Sequence, residues 1–167
     1  MWVKDKNIVL IGMPSAGKST IGQILAARLQ MAFTDTDTVI KEREKKELKD
    51  IVNSQGHEVF LQIQEKAILG LDLTNHVIAT GGSVVYGEAS MRHLKANSLV
   101  VYLEVEFEEV EQRVAVGRRF ARRKEQSLLE LYNERVPLYK KYADITVNST
   151  GKNVEEVVNK VLKHMTL

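Results

Sequence analysis

Five short apolar runs punctuate the chain, at 7–11, 32–34, 77–79, 99–103 and 145–147. Between them the apolar residues recur three and four positions apart, over 19–29, 36–46, 57–70, 87–95, 106–116, 127–142 and 153–164. Runs of the first kind predict strands, and spacing of the second kind predicts amphipathic helices. In 19–29 the apolar face is Ile21, Ile24, Leu25 and Leu29. In 153–164 it is Val154, Val157, Val158, Val161 and Leu162, the pattern of a helix that packs on a core. Short strands alternating with longer helices make an α/β fold with a mostly parallel sheet. No linker rich in Pro, Gly or Ser and no internal repeat interrupts the alternation, so residues 1–167 read as one domain. In open sheets of this kind the ligand sits beyond the carboxyl ends of the strands, so the residues that follow each strand carry the chemistry.

The first strand runs into Gly12-Met13-Pro14-Ser15-Ala16-Gly17-Lys18-Ser19-Thr20, which fits the phosphate-loop pattern through Gly12, Gly17, Lys18 and Ser19. Strand, glycine-rich loop and helix follow one another, as the mechanism requires. Glycines let the backbone curl so that its N–H groups face an anion, and the helix adds the positive end of its dipole. Lys18 then reaches the outer phosphates of a bound nucleotide, and the Ser19 hydroxyl holds Mg²⁺.

Thr34-Asp35-Thr36-Asp37 follows the second strand. One carboxylate can hold the metal and the other can orient or deprotonate a hydroxyl nucleophile; alternatively both cap the next helix. After the third strand, Gly81 and Gly82 either let backbone approach a ligand closely or make a plain turn. The segment 117–126 has no strand character and carries Arg118, Arg119, Arg122, Arg123 and Lys124. It reads as a lid that brings an arginine to the transferring phosphoryl group, or as a solvated cationic loop. In 127–142, Arg135 falls on the apolar face with Leu128, Leu131, Tyr132 and Tyr139, and a buried arginine wants an anion, either a ligand or a structural carboxylate. Pro137 removes a hydrogen bond within the same helix and is expected to bend it.

Composition narrows the function classes. A formal charge of +2 over 167 residues is too small to make nucleic acid or an anionic membrane the main partner. The absence of cysteine excludes a disulfide framework, thiolate zinc sites and cysteine nucleophiles. His57, His76, His93 and His164 show no ligand spacing and read as surface or loop residues. No apolar run approaches the length of a membrane span, and an apolar run that ends in a phosphate loop is not a secretion signal, so the chain reads as soluble, unprocessed and cytoplasmic.

From 7 to about 144 the chain resembles the shikimate kinases, a family of P-loop small-molecule kinases. The likeness rests on GMPSAGKST at 12–20, FTDTD at 33–37, Gly81-Gly82, the basic segment and ERVPLYKKYAD at 134–144. It implies a three-layer α/β/α fold with a five-stranded parallel sheet of order 2-3-1-4-5, an acceptor subdomain at about 36–70 and a lid at about 117–126. It also implies a monomer that uses ATP, Mg²⁺ and a small hydroxylated acceptor. Gly12, Ser15, Ala16, Gly17, Lys18, Ser19 and Thr20 would bind the nucleotide, with Arg113 near the adenine. Ser19 and Asp35 would hold the metal. Asp37, Gly81, Gly82 and Arg135 would bind the acceptor, Arg135 through its carboxylate. Lys18, Asp37 and the lid arginine, Arg119 or Arg118, would be catalytic.

The resemblance breaks in the acceptor half. The family pattern has an arginine after the phenylalanine at position 60 and a supporting glutamate three residues on, and this chain has Leu61 and Gln64. The family's third glycine is Ser83 here, and Phe120 follows Arg119 where a proline is usual. Two enzymatic readings stay open: shikimate held by Arg135 with one clamp fewer, or another small hydroxy acid. A non-catalytic nucleotide-binding protein is the third reading. The GTPase base-reading pattern N-K-x-D is absent, its nearest match being Asn159-Lys160-Val161-Leu162.

Overall fold

The computed structural model describes residues 5–114 and 126–165. Five strands, β1 (Asn7–Ile11), β2 (Ala32–Asp35), β3 (His76–Ala79), β4 (Ser98–Glu104) and β5 (Ile145–Asn148), pair in the order β2-β3-β1-β4-β5. Every pairing is parallel, for example Val9 opposite Ile78 on one side and opposite Val100 on the other. Ile8, Val9, Leu10 and Ile11 are fully buried in the central strand, which is why it reads as an unbroken apolar run instead of an alternating one. Asn7 is its one polar residue and is satisfied on both sides, donating to Leu73 O (2.7 Å) and accepting from His76 N (2.9 Å). From β1 the chain moves to one side through β2 and β3 and crosses to the other through β4 and β5. The crevice at the carboxyl end of β1 is therefore where such a sheet binds its ligand.

The helices are α1 (Lys18–Leu29), α2 (Thr36–Glu44), α3 (Leu48–Gln55), α4 (His57–Leu69), α5 (Glu88–Lys95), α6 (Phe107–Val114), α7 (Leu128–Tyr142) and α8 (Val154–Met165). Seven match the spacing of apolar residues, with ends shifted by a few positions; residues 115 and 116 of the expected 106–116 helix lie outside the described residues. The eighth, α3, has no counterpart in the pattern. Its apolar residues Leu48, Ile51 and Val52 do stand three and four positions apart, but a helix of eight residues is too short for that spacing to repeat. It forms because Ile51 joins Ile40, Phe60 and Ala67 in a second apolar cluster, with Leu61 packed on its edge. Helix α7 runs through Pro137 as one element, capped by Ser127, whose hydroxyl accepts from Glu130 N (3.1 Å).

Candidate functional site

The phosphate loop turns out of β1 on residues that need unusual backbone angles. Gly12 (φ +151°) and Gly17 (φ +89°) bracket it, and Ser15 stands at φ +69° without being a glycine. A side chain at Gly12 would also strike Leu103 O at 2.8 Å. α1 starts at Lys18, so the loop amides and the helix dipole share one concavity. Lys18 is buried, and its Nζ donates to the carbonyls of Gly12 and Met13, the latter at 2.9 Å, which places the ammonium over the loop mouth. Arg113, near the end of α6, donates through Nη1 to Ser15 O (2.7 Å) and through Nη2 to Glu109 (2.9 Å), so it lies against the same loop.

Asp35 and Asp37 meet different partners. The Ser19 hydroxyl donates to Asp35 Oδ2, while Asp35 Oδ1 accepts from Asp37 N (2.9 Å) and caps α2. The Asp35 carboxylate thus both caps α2 and accepts from the Ser19 hydroxyl. Ser19 and Asp35 form a pair of adjacent hard oxygens, and among the described residues no group of three or more His, Cys, Asp or Glu stands together. Such a pair fits Mg²⁺, which takes one or two protein oxygens and completes its shell with water and phosphate.

Asp37 faces the turn after β3. A Cβ placed on Gly81 would meet Asp37 Oδ1 at 2.7 Å and Gln64 Oε1 at 3.3 Å; one on Gly82 would meet Pro14 Cδ at 2.7 Å and Arg135 Nη1 at 2.9 Å. The two glycines are therefore required by close approach. Gly81 N donates to the buried Thr36 hydroxyl (3.3 Å), which ties this turn to the start of α2. Arg135 is fully buried, as its place on the apolar face of α7 foretold. One turn on, the Tyr139 hydroxyl donates to Gly82 O (2.6 Å) while its ring stacks on Tyr102 at 5.1 Å. Burial pushes the Tyr139 phenol up to about 12 and the Tyr102 phenol upward as well. Across Pro14, the turn at Gly81 and Gly82 thus brings Asp37 and Arg135 beside the loop whose Lys18 and Ser19 reach Gly12, Met13 and Asp35.

A family model described as shikimate kinase matches residues 14–166 of this sequence. The chain belongs to the shikimate kinase family. Among its relatives, the shikimate kinase of Vibrio cholerae is 37% identical over 170 residues, covering 96% of this chain and 95% of that protein. The Clostridium botulinum shikimate kinase is 38% identical, covering 96% and 97%. In three dimensions, shikimate kinase from Acinetobacter baumannii in complex with shikimate superposes with a TM-score of 0.87 at 28% identity, over 96% of this chain and 93% of that one. Membership makes the chain an ATP-dependent kinase that transfers a phosphoryl group to a hydroxyl.

Not all expected residues can be placed. Arg118, Arg119, Arg122, Arg123 and Lys124 lie outside the described residues. His57 is no loop residue: it opens α4 with its ring edge-on to Tyr86, at 6.1 Å and 86°. Tyr86 and Glu134 carry no role in the sequence reading, and Ser83 enters it only in place of the family's third glycine. Tyr86 closes a three-residue 3-10 turn at Val84–Tyr86, too short for any periodicity to mark. Its hydroxyl donates to Glu134 Oε1 (2.6 Å) and accepts from Arg135 Nε (3.3 Å). Ser83 Oγ donates to Gln64 Oε1 (3.3 Å), and both side chains are buried. For Tyr86 the available signal was an aromatic four residues after a glycine pair. Among the described residues no helix is long and apolar enough to cross a membrane.

Proposed function

We propose that the chain phosphorylates a hydroxyl of shikimate with the γ-phosphoryl group of ATP. The observation that carries this reading is the fully buried Arg135, whose Nη1 comes to the Gly82 backbone beside the Asp37 carboxylate at Gly81. A guanidinium and a carboxylate on neighbouring glycines suit an acceptor that carries one carboxylate and a reactive hydroxyl. Arg135 binds the acid, and Asp37 orients the hydroxyl and accepts its proton. The amides from Gly12 to Thr20, including Ser15, Ala16 and Gly17, hold the phosphates with Lys18, and Arg113 flanks the nucleotide. Ser19 and Asp35 would hold Mg²⁺, which would supply charge neutralisation at the phosphates. An arginine of the 117–126 segment, Arg119 or Arg118, is assigned the γ-phosphoryl contact. The unit acts as a cytoplasmic monomer without nucleic-acid or membrane partners, and 36–70 forms its acceptor subdomain.

Leu61 and Gln64 weigh on this reading in two ways. Exchanging an arginine and a glutamate for two neutral residues leaves the local formal charge unchanged, so Arg135 still matches a single acceptor carboxylate. It also removes a donor, and losing one member of a desolvated pair typically costs about 2 to 5 kcal/mol. Gln64 sits buried against Ser83 at the acceptor wall, and this neutral wall favours a second reading, a different small hydroxy acid. A coupled ADP-release assay with Mg²⁺ATP and a panel of hydroxy acids, sugar acids and amino-acid alcohols separates them. Saturable turnover of shikimate with a KM below about 1 mM is expected. Turnover of another alcohol with none of shikimate refutes shikimate as the acceptor.

A further inference from the structure

We propose that Tyr86 is the positioning residue of the acceptor site, holding the Arg135 guanidinium at Nε so that its Nη1 edge is presented at Gly82. The proposal rests on the reading of Arg135 as the ligand of the acceptor carboxylate. Arg135 and Glu134 are consecutive on α7, and consecutive residues of a helix do not face each other. The Tyr86 phenol arrives from the turn after β3 and bridges what the helix separates. Its oxygen accepts from Arg135 Nε (3.3 Å) and its proton goes to Glu134 Oε1 (2.6 Å). The guanidinium carbon lies 5.3 Å from the Tyr86 ring centroid, so the ring face adds attraction to the hydrogen bond.

Both ends of the bridge are anchored. The ring is braced edge-on by His57 of α4, and Glu134 Oε2 accepts from Gln126 Nε2 (2.7 Å). A neutral phenol fixes the cation without cancelling its charge, which leaves that charge for an incoming carboxylate. Burial and the Glu134 hydrogen bond raise the Tyr86 pKa, so the phenol stays a donor at neutral pH. With Leu61 where a second cation would stand, acceptor binding depends on the aim of this one guanidinium.

Tyr86→Phe keeps the ring and deletes both hydrogen bonds. The expected result is a rise of about 10- to 150-fold in the KM for shikimate, the range for one hydrogen bond to a charged group, with kcat and the KM for ATP within twofold. A readout that needs no acceptor is the Arg135 Nε–H signal in ¹H–¹⁵N spectra of the ligand-free protein, assigned by its loss in Arg135→Lys. It is expected to shift or broaden by solvent exchange in Tyr86→Phe. Glu134→Ala, which leaves the ring in place and frees the phenol, is expected to move it too and serves if Tyr86→Phe does not fold. An unmoved signal in these variants overturns the proposal, as does an unchanged shikimate KM in folded Tyr86→Phe. Failure of the wild-type protein to phosphorylate shikimate refutes the acceptor reading instead, and the spectra still decide the role of Tyr86.

Discussion

Adding one methyl group at Gly81 separates catalysis from stability. The backbone there is not in the left-handed region, so Gly81→Ala brings no strain of its own. Its Cβ would lie 2.7 Å from Asp37 Oδ1 and 3.5 Å from Asp37 Cγ. Ordinary contact needs about 0.7 Å more, and the group that gives way is the tip of a half-buried side chain. Turning that carboxylate costs the fold about 0.5 to 1.5 kcal/mol, the price of an off-rotamer side chain. The same displacement moves the proposed base relative to the hydroxyl it must orient, and misplacement by about 1 Å costs on the order of 100-fold in rate. We therefore expect kcat to fall about 10- to 100-fold while ATP affinity and the thermal midpoint stay close to wild type. The assay is coupled ADP release at saturating Mg²⁺ATP and acceptor, beside a thermal melt and an ATP titration. A kcat within threefold of wild type refutes the placement of Asp37. A kcat loss that scales with unfolding refutes the separation of the two effects.

Gly82→Ala sets its methyl 2.7 Å from Pro14 Cδ and 2.9 Å from Arg135 Nη1, and because a proline ring cannot swing aside it is expected to destabilise by about 1 to 3 kcal/mol in melts and to raise the acceptor KM more than it lowers kcat. Leu61→Arg with Gln64→Glu should lower the shikimate KM by about 30-fold, the low end for a restored desolvated pair, whereas Gln64→Glu alone, which adds a carboxylate facing Gly81 beside Asp37, should raise it. Alkaline pH tests the burial of Tyr139: its folded pKa of about 12 lies above the unfolded value of 10.0, so its contribution is complete below pH 10 and is lost as pH rises towards 12. Denaturant titrations should show stability falling through that window, with Tyr139→Phe reducing the slope by about 1.4 kcal/mol per pH unit.

Much of this arrangement was legible in the sequence because it lies in short, continuous stretches. The phosphate loop is nine consecutive residues, and the inner strands β1, β3 and β4 are apolar runs because most of their residues are buried. Arg135 betrayed itself by breaking an apolar helical face, and burial on that face followed. Helix α3 was missed because Leu48, Ile51 and Val52 mark little more than one turn, too short a stretch for the period to repeat. The sequence could not separate a capping from a ligating Asp35 because a cap uses only one carboxylate oxygen, here Oδ1 toward the α2 amide, and leaves the other, here Oδ2 at the Ser19 hydroxyl. The Tyr86–Arg135 bridge joins residues 49 apart through a turn of three, and nothing in either local pattern announces the other.

The measurement that tests the central claim most directly follows product and not ATP consumption. Protein, Mg²⁺ATP and shikimate are incubated together, and ³¹P NMR counts phosphate monoester against ADP, for the wild-type chain and for Asp37→Asn. The account predicts one new monoester per ADP with wild type, and none above background with folded Asp37→Asn. ADP without monoester, or an Asp37→Asn variant that makes ester at near wild-type rate, would contradict it.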